Sequence, residues 1–191
     1  ASARITVTDS PRELLTRTGT ALPGENGITF GYRGLLREWS PERPALYRLR
    51  VELLDERGEV LSAWNQSLGL RRTAIAGKQF TLNGRPLKLR GGTVVWHRWM
   101  RDAEGREAGY DTVWFRDNIV RRLKEHGANL LRFHLGVPPE RLLDLCDRYG
   151  LAVQYEWNFF HGMPASRESL MEQYPKWFDL AARHPSVLLC H

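Results

Sequence analysis

The stretch Ala128–Trp157, ANLLRFHLGVPPERLLDLCDRYGLAVQYEW, decides the fold. It begins with a strand pattern over Ala128–His134 and ends with a second one over Leu151–Trp157. Between them, Pro138–Tyr149 has proline at its start, leucines at helical spacing and Gly150 directly after it, which is typical of a helix. A strand, a helix and a strand at this spacing predict a right-handed βαβ unit with parallel strands.

The same alternation continues on both sides of this stretch. Asn83-Gly84 predicts a tight hairpin turn at the entry, because this dipeptide favours positive φ angles. Further strands are predicted at Leu87–Val95 and Ser186–His191, and further helices at Thr112–His126 and at Ser166–Arg183 with a break at Pro175. Four strand–helix units fit between residues 87 and 191, whereas a complete (β/α)₈ barrel needs roughly 250 residues. If the fold is a barrel, the chain therefore holds half of it.

The first part of the chain has a different pattern. It predicts short β-strands without intervening helices, at Ala3–Thr8, Gly27–Tyr32, Tyr47–Leu54 and Glu59–Trp64. This spacing indicates a small antiparallel β-sandwich with too few strands to close two sheets, so we expect it to be incomplete at the N-terminus. We therefore predict an α/β plus all-β chain, with a partial sandwich over residues 1–75 and four βα units over residues 76–191. These units could form either a complete doubly wound sheet or half of a barrel.

Composition excludes several classes of protein. Hydrophobic residues make up 42% of the 191 residues, which is enough for a buried core, and no apolar run approaches the roughly 20 residues that span a bilayer. The net charge of +6 comes from basic residues interleaved with acids, so we expect neither nucleic-acid nor membrane binding. Two cysteines rule out a disulfide-rich scaffold and a four-thiolate zinc site, and they leave the redox compartment open.

Polar side chains follow the predicted parallel strands, where reacting groups gather in such folds. We predict that they meet at one end of the sheet and bind substrate; the candidates are His97, Arg132, His134, Glu156, Trp157 and Asn158. His161 and His191 also lie at predicted strand ends, whereas His126 and His184 fall at helix ends, where a capping role is expected. Each candidate also has a purely structural interpretation: tryptophans more often pack than bind sugars, and Glu156 can pair with Arg132.

Two chemistries suit these side chains. Tryptophan faces with Arg, His, Asn and Glu are typical of carbohydrate sites, whereas several histidines suit a metal ion. The usual His-x-His and His-Glu-x-x-His patterns are absent from the sequence, so histidines on separate strands are weak evidence for a metal ion. Glu156 is the only acid at a predicted strand end, since Asp102, Glu104 and Glu107 fall in a long first loop that we expect to be mobile.

Several motifs resemble glycoside hydrolase family 2, which includes β-galactosidases, β-glucuronidases and β-mannosidases. Trp39–Tyr47 is similar to the Trp-Ser-Pro-Glu-x-Pro-x-Leu-Tyr stretch of its immunoglobulin-like domain, and Phe80–Arg90 to its entry into the barrel. Asn129–Arg132 resembles the Asn-x-x-Arg of the family's second strand. Leu145–Leu151 with Glu156 resembles the segment that leads to the third-strand Glu, and His184–Val187 resembles the His-Pro-Ser motif before the fourth strand. The motifs keep the family's order from about residue 39 to residue 191.

This resemblance implies an immunoglobulin-like sandwich over residues 1–75 and the first four βα units of a (β/α)₈ barrel over residues 76–191. It also implies a retaining mechanism and a β-linked carbohydrate substrate, with no cofactor. Some members bind Mg²⁺ near this site, but the carboxylate that helps hold it has no clear counterpart around Phe159-Phe160, so we expect no metal. The resemblance also implies that the acid/base Glu and the nucleophile Glu lie beyond His191, so we expect no catalytic residue in this chain and only supporting roles for Arg132, Glu156 and Asn158. Three alternatives stay open: a non-catalytic carbohydrate-binding relative, a metal-dependent barrel hydrolase, and an inactive core fragment. A half barrel also leaves strand edges at Leu87–Val95 and Ser186–His191, which predict self-association.

Overall fold

A computed structural model describes residues 1–22, 24, 31, 34–99, 101–157 and 166–191, apart from the side chains of Trp96 and His97. The chain divides into a first unit, Ala1–Arg37 with Leu46–Leu70, and a second unit, Glu38–Ala45 with Arg71–His191. The strand predicted at Gly27–Tyr32 lies outside the described residues except for Gly31, which belongs to no strand. None of the described helices is both long and apolar enough to span a membrane.

The first unit contains one antiparallel sheet of four strands. They are β1 (Ser2–Asp9), β2 (Arg12–Thr20), β3 (Tyr47–Leu54) and β4 (Val60–Leu68), in the spatial order β2-β1-β3-β4. Register aligns the buried Val7 of β1 with Leu15 of β2 and Leu49 of β3, so one face of the sheet has an apolar row. The strand patterns in β1, β3 and β4 are confirmed, whereas β2 was not predicted because its threonines and arginines obscure the apolar alternation.

The second unit begins with a small three-stranded sheet, β5 (Thr73–Ala76), β6 (Gln79–Leu82) and β7 (Arg85–Pro86). The predicted Asn-Gly turn joins β6 to β7, with φ of 54° at Asn83 and 77° at Gly84. Both angles are positive, as a type I′ hairpin requires. The Asn83 side chain accepts a hydrogen bond from the Arg72 amide and donates one to the Trp39 carbonyl, which ties this turn to the segment Glu38–Ala45.

A parallel sheet of four strands follows. Its strands are β8 (Gly91–Val94), β9 (Leu130–Phe133), β10 (Ala152–Tyr155) and β11 (Val187–Cys190), in the order β11-β10-β9-β8. Strands adjacent in sequence are adjacent in space and run in the same direction, as consecutive βα units predict. Within the described residues, β8 and β11 form the two edges of this sheet.

Helices connect these strands, and they correct two predictions. Their bounds are α1 (Trp96–Trp99), α2 (Ala103–Tyr110), α3 (Thr112–Phe115), a π-helical turn (Arg116–Val120), α4 (Arg121–Glu125), α5 (Glu140–Tyr149) and α6 (Arg167–Arg183). The predicted break at Pro175 is wrong, since α6 continues through it. Met171, whose carbonyl loses its helical partner there, is 65% exposed, so water can bond that carbonyl. The segment with Asp102, Glu104 and Glu107, which the sequence predicts as a loop, contains α2 instead. Asp102 caps this helix by accepting from the Gly105 amide.

The two faces of the parallel sheet differ in polarity. Leu131, Phe133, Val153 and Tyr155 are fully buried and pack with the helices in one apolar core. The alternate residues of the same strands form the opposite face, where register places Thr93, Arg132 and Gln154 side by side. Because side chains alternate along a strand, the sequence of β9 and β10 separates an apolar layer from a polar one.

The Trp39 segment is anchored in the second unit. Trp39 is fully buried, and its indole Nε1 donates a 2.8 Å hydrogen bond to the backbone carbonyl of Asp147, near the end of α5. The ammonium of Lys124 donates to the carbonyls of Pro41 and Gly150 at 2.9 and 2.8 Å. These contacts explain why Glu38–Ala45 belongs to the second unit, although residues of the first unit flank it in sequence.

Candidate functional site

The carboxyl ends of the four parallel strands lie together at one end of the sheet. Register aligns Val94 with Phe133, Phe133 with Tyr155, and Tyr155 with Cys190. His134, Glu156 and His191 each follow directly after one of these residues. The backbone continues this alignment, since the His134 amide donates to the Val94 carbonyl and the His191 amide to the Tyr155 carbonyl.

Glu156 is the centre of a hydrogen-bonded cluster at this end. Its carboxylate is almost completely buried, with 1% of the side chain exposed, and it accepts from β9, from the segment that follows β9 and from its own strand β10. Oε1 accepts from Arg132 Nε at 2.5 Å and from Gln154 Nε2 at 3.0 Å. Oε2 accepts from the Leu135 amide at 3.0 Å and lies 2.9 Å from His134 Nδ1. Each oxygen therefore has two partners within hydrogen-bond distance.

His134 lies between the carboxylate of Glu156 and the guanidinium of Arg132. Its Nδ1 is 2.8 Å from Arg132 Nη2 and 2.9 Å from Glu156 Oε2. When Nδ1 carries a proton it donates to the carboxylate, and when it does not it accepts from the guanidinium. In both states the imidazole is fixed against Arg132 and Glu156, so the cluster presents two nitrogen-bearing side chains in a defined position.

The electrostatics of the cluster favour an ionised Glu156. Burial alone opposes the charge, but the hydrogen bonds from Arg132, from the Leu135 amide and from His134 outweigh it and lower the pKa of Glu156 to about 2. The carboxylate is therefore an anion throughout the physiological range. It orients its donors, and it is a poor general acid because it holds no proton to give.

This pKa predicts a specific loss of stability in acid. A carboxyl whose pKa is lower in the folded state than its ordinary value of 4.5 stabilises the fold above about pH 4.5, and the stabilisation disappears as the pH falls toward 2. We expect Glu156 to contribute about 2 kcal/mol that is lost between pH 5 and pH 3. Urea unfolding of wild type and Glu156→Gln at several pH values should show a difference that shrinks by this amount. A difference that is constant with pH would contradict the assignment.

The structure brings together part of the predicted site. Arg132, His134 and Glu156 are in direct contact, and Trp157, which follows Glu156, packs edge-to-face on Tyr174 and Trp177 at centroid distances of 5.2 and 5.7 Å. His191 is exposed at the end of the chain. The backbone of His97 lies in α1, its side chain is not described, and Asn158 and His161 lie outside the described residues.

Two members of the cluster were not predicted. Gln154 occupies the same face of β10 as Glu156 two residues later, and a glutamine within an otherwise apolar strand was the signal that could have revealed it. The Leu135 amide is the other, and it reaches Glu156 from a residue with φ of 51°. A leucine with positive φ carries no sequence signal, since leucine disfavours that conformation.

The chemistry of this end of the sheet is that of a binding and orienting site. Among the described residues that directly follow the four strands, Glu156 is the one carboxylate, and hydrolysis of a glycoside needs two. Arg132, with 35% of its side chain exposed, and His134, with 30%, lie beside the buried anion, and each carries an N–H donor. Such donors bind sugar hydroxyls or a substrate carboxylate.

Comparisons with known proteins agree with the fold on both sides of the boundary between the units. The family model "Glycosyl hydrolases family 2" matches residues 5–71, and "Glycosyl hydrolases family 2, TIM barrel domain" matches residues 73–188. The chain is 33% identical over 161 residues to a β-galactosidase of Enterobacter cloacae, covering 79% of this chain and 15% of the relative. A β-galactosidase of Lactococcus lactis is 32% identical over 164 residues, with 79% and 16% covered.

Solved structures show the same architecture. A β-glucuronidase of Lactobacillus rhamnosus superimposes with a TM-score of 0.79 at 20% identity, covering 100% of this chain and 32% of that one. β-Glucuronidase 3 of Bacteroides uniformis superimposes with a TM-score of 0.74 at 26% identity, covering 99% and 24%. The chain thus spans about 15% of the length of the curated relatives and a quarter to a third of these structures. Since the barrel-domain model alone matches more than half of the residues, the chain belongs to glycosyl hydrolase family 2.

Proposed function

We propose that the protein containing this chain hydrolyses β-linked glycosides with retention of configuration, and that this chain supplies residues that orient the sugar. The observation that carries the proposal is the cluster of Arg132, His134 and Glu156 at the carboxyl end of a parallel sheet, in a chain of this family. The relatives named above are β-galactosidases and β-glucuronidases, and we extend to this protein only what they share, a β-glycoside substrate.

The finer architecture is part of the same proposal. We assign residues 1–75 to a partial immunoglobulin-like sandwich and residues 76–191 to the first four βα units of a (β/α)₈ barrel. The strand order β11-β10-β9-β8 supports the second assignment, because consecutive parallel neighbours are how a barrel begins. The polar face that carries Arg132 and Gln154 would then line the barrel interior. Self-association through the edges β8 and β11 stays a prediction, to be tested by light scattering.

In the proposed reaction, Glu156 acts as a fixed anion and not as a proton donor. It holds Arg132 by a charged hydrogen bond and His134 by Nδ1, so neither side chain needs to be ordered when substrate binds. Arg132 and His134, together with Trp157 and Asn158, would bind sugar hydroxyls. Protonation of the leaving oxygen and attack on the anomeric carbon require two further carboxyl groups, which we place in parts of the protein outside this chain.

Turnover of aryl β-glycosides tests the proposal. We expect the full-length protein to release the aryl alcohol from a β-galactoside or a β-glucuronide. The isolated chain of residues 1–191 should release none, because its described residues place no second carboxyl group at the site. Full-length protein that binds these sugars without hydrolysing them would identify a non-catalytic relative, and activity abolished by a chelator would favour the metal-dependent alternative. Hydrolysis by the isolated chain that is lost in Glu156→Gln would make Glu156 catalytic.

A further inference from the structure

A second polar cluster lies at the amino ends of the parallel strands, opposite the carboxyl ends where Glu156 lies. Asp144 and Asp147 are on α5, and His184 caps the C-terminus of α6 three residues before β11 begins. Ser186, whose carbonyl accepts from the Val153 amide, joins this cluster to the amino end of the sheet. The sequence predicts a capping role for His184, and the structure adds that its ring faces the acids of α5.

The contacts within the cluster are short and directed. His184 Nδ1 lies 2.7 Å from Asp147 Oδ2 and 4.0 Å from Asp144 Oδ1. The other oxygen of Asp147, Oδ1, accepts from the Ser186 amide at 2.9 Å, which fixes the orientation of that carboxylate. One oxygen from each acid and one ring nitrogen all lie within 4.8 Å of one another.

Burial makes this cluster different from an ordinary acidic surface. His184 is 3% exposed and Asp147 is 1% exposed. The second ring nitrogen, His184 Nε2, is buried with no hydrogen-bond partner among the described residues, and its nearest acid is Glu140 Oε1 at 3.6 Å. The hydroxyl of Ser186 is likewise buried without a partner in the described part of the chain. A buried imidazole with an unsatisfied nitrogen is costly, so the cluster is not saturated by the protein's own groups.

The charge balance of the cluster favours a cation. Glu140, Asp144 and Asp147 lie on one face of α5 at helical spacing, so three carboxylates face His184. Arg183 lies 3.4 Å from Glu140, while Arg71 and Arg148 act electrostatically on Asp147 and Asp144. Among the described residues, however, no lysine or arginine forms an ion pair with either aspartate.

We propose that Asp144, Asp147 and His184 bind a divalent transition-metal ion, with His184 Nδ1 and one oxygen from each aspartate as ligands. One imidazole nitrogen with two carboxylate oxygens is a donor set for Zn²⁺ or Mn²⁺. With Nδ1 bound to the ion, the Nε2–H of His184 faces Glu140, and a carboxylate behind a ligating histidine is the usual outer partner in such sites. Asp144 is 41% exposed and provides the route from solvent.

The position of the site indicates a structural role. It joins the end of α5 to the turn between α6 and β11, at the amino ends of the strands and away from Glu156. An ion bound there would stabilise the junction between these helices and the strand.

Metal titration of the full-length protein, stripped with a chelator, tests the proposal. Co²⁺ is the spectroscopic probe, because nitrogen and oxygen ligation produces visible absorption, and Zn²⁺ serves as its competitor. We expect wild type to bind one equivalent of Co²⁺ more than Asp144→Asn does, or to bind that equivalent at least about tenfold more tightly. Asp144 is the half-exposed ligand, so its amide variant should fold even if His184→Gln does not.

The control is Glu172→Gln, which removes an exposed carboxylate that pairs with Lys176 on α6 and should leave Co²⁺ binding unchanged. Zn²⁺ should also raise the melting temperature of wild type and not that of Asp144→Asn. Equal Co²⁺ stoichiometry and affinity in wild type and Asp144→Asn would overturn the proposal. An equal loss of binding in Glu172→Gln would also overturn it, since binding would then be diffuse attraction to surface acids.

Discussion

Gly91→Ala should destabilise the second unit by at least about 3 kcal/mol, the largest effect we expect from adding a single methyl group. A Cβ at this position would overlap the carbonyl oxygen and carbon of Leu130, the residue paired with Gly91 in the neighbouring parallel strand. A backbone carbonyl inside the sheet cannot move as a side chain can. β8 would have to separate from β9, and the polypeptide that leads to α1 would move with it.

The adjacent residue provides the matched control. Gly92 lies on the same strand, and a Cβ there would meet only the terminal methyl Cδ2 of Leu123, at 3.2 Å. A flexible side chain can shift by a few tenths of an ångström, so Gly92→Ala should cost less than about 1 kcal/mol. Chemical unfolding monitored by tryptophan fluorescence measures both variants. Equal losses in Gly91→Ala and Gly92→Ala would show that flexibility of the strand, and not the contact with Leu130, decides the effect.

The order of strands and helices could be predicted because it depends on local patterns. The βαβ unit at Ala128–Trp157 contains an apolar strand, a proline-initiated helix and a terminal glycine, and each signal acts within a few residues. Gly150 adopts φ of 68° after α5, as a helix-ending glycine should. The distance between paired strands, by contrast, depends on residues far apart in sequence. Two glycines in one strand indicate a close approach of some kind, but nothing in the sequence shows that Gly91 lies against the carbonyl of Leu130.

The candidate site could be predicted only in part for the same reason. Parallel strands place their carboxyl ends together, so Arg132, His134 and Glu156 could be grouped from their positions after or near the ends of strands. The sequence could not show that each oxygen of Glu156 has two partners, because this depends on Gln154 and on the unusual backbone at Leu135. Likewise, the ring of His184 faces Asp147 across a separation of 37 residues, which no short motif encodes.

Glu156→Gln should lower kcat/KM of the full-length protein for an aryl β-glycoside by about 100-fold, since displacement of substrate-positioning groups by about 1 Å has effects of this size. The amide keeps the shape of the side chain but replaces one acceptor oxygen with an N–H₂ group. In either orientation this group faces donors, either Arg132 and Gln154 or the Leu135 amide. The guanidinium then loses its charged partner and no longer has a fixed position.

Glu52→Gln is the matched control, because Glu52 is also a buried carboxylate that accepts from two arginines, Arg4 and Arg50, but belongs to the antiparallel sheet of the first unit. It should leave kcat/KM within about twofold of wild type.

If Glu156→Gln fails to fold, Arg132→Lys tests the same cluster, since lysine keeps the charge but loses the fork that reaches both Glu156 and His134. Both Glu156→Gln and Arg132→Lys should act mainly on kcat, because orientation matters most when charge develops at the anomeric carbon. A rise in KM with kcat unchanged would restrict the cluster to ground-state binding, and activity equal to wild type in both variants would leave Glu156 a purely structural residue.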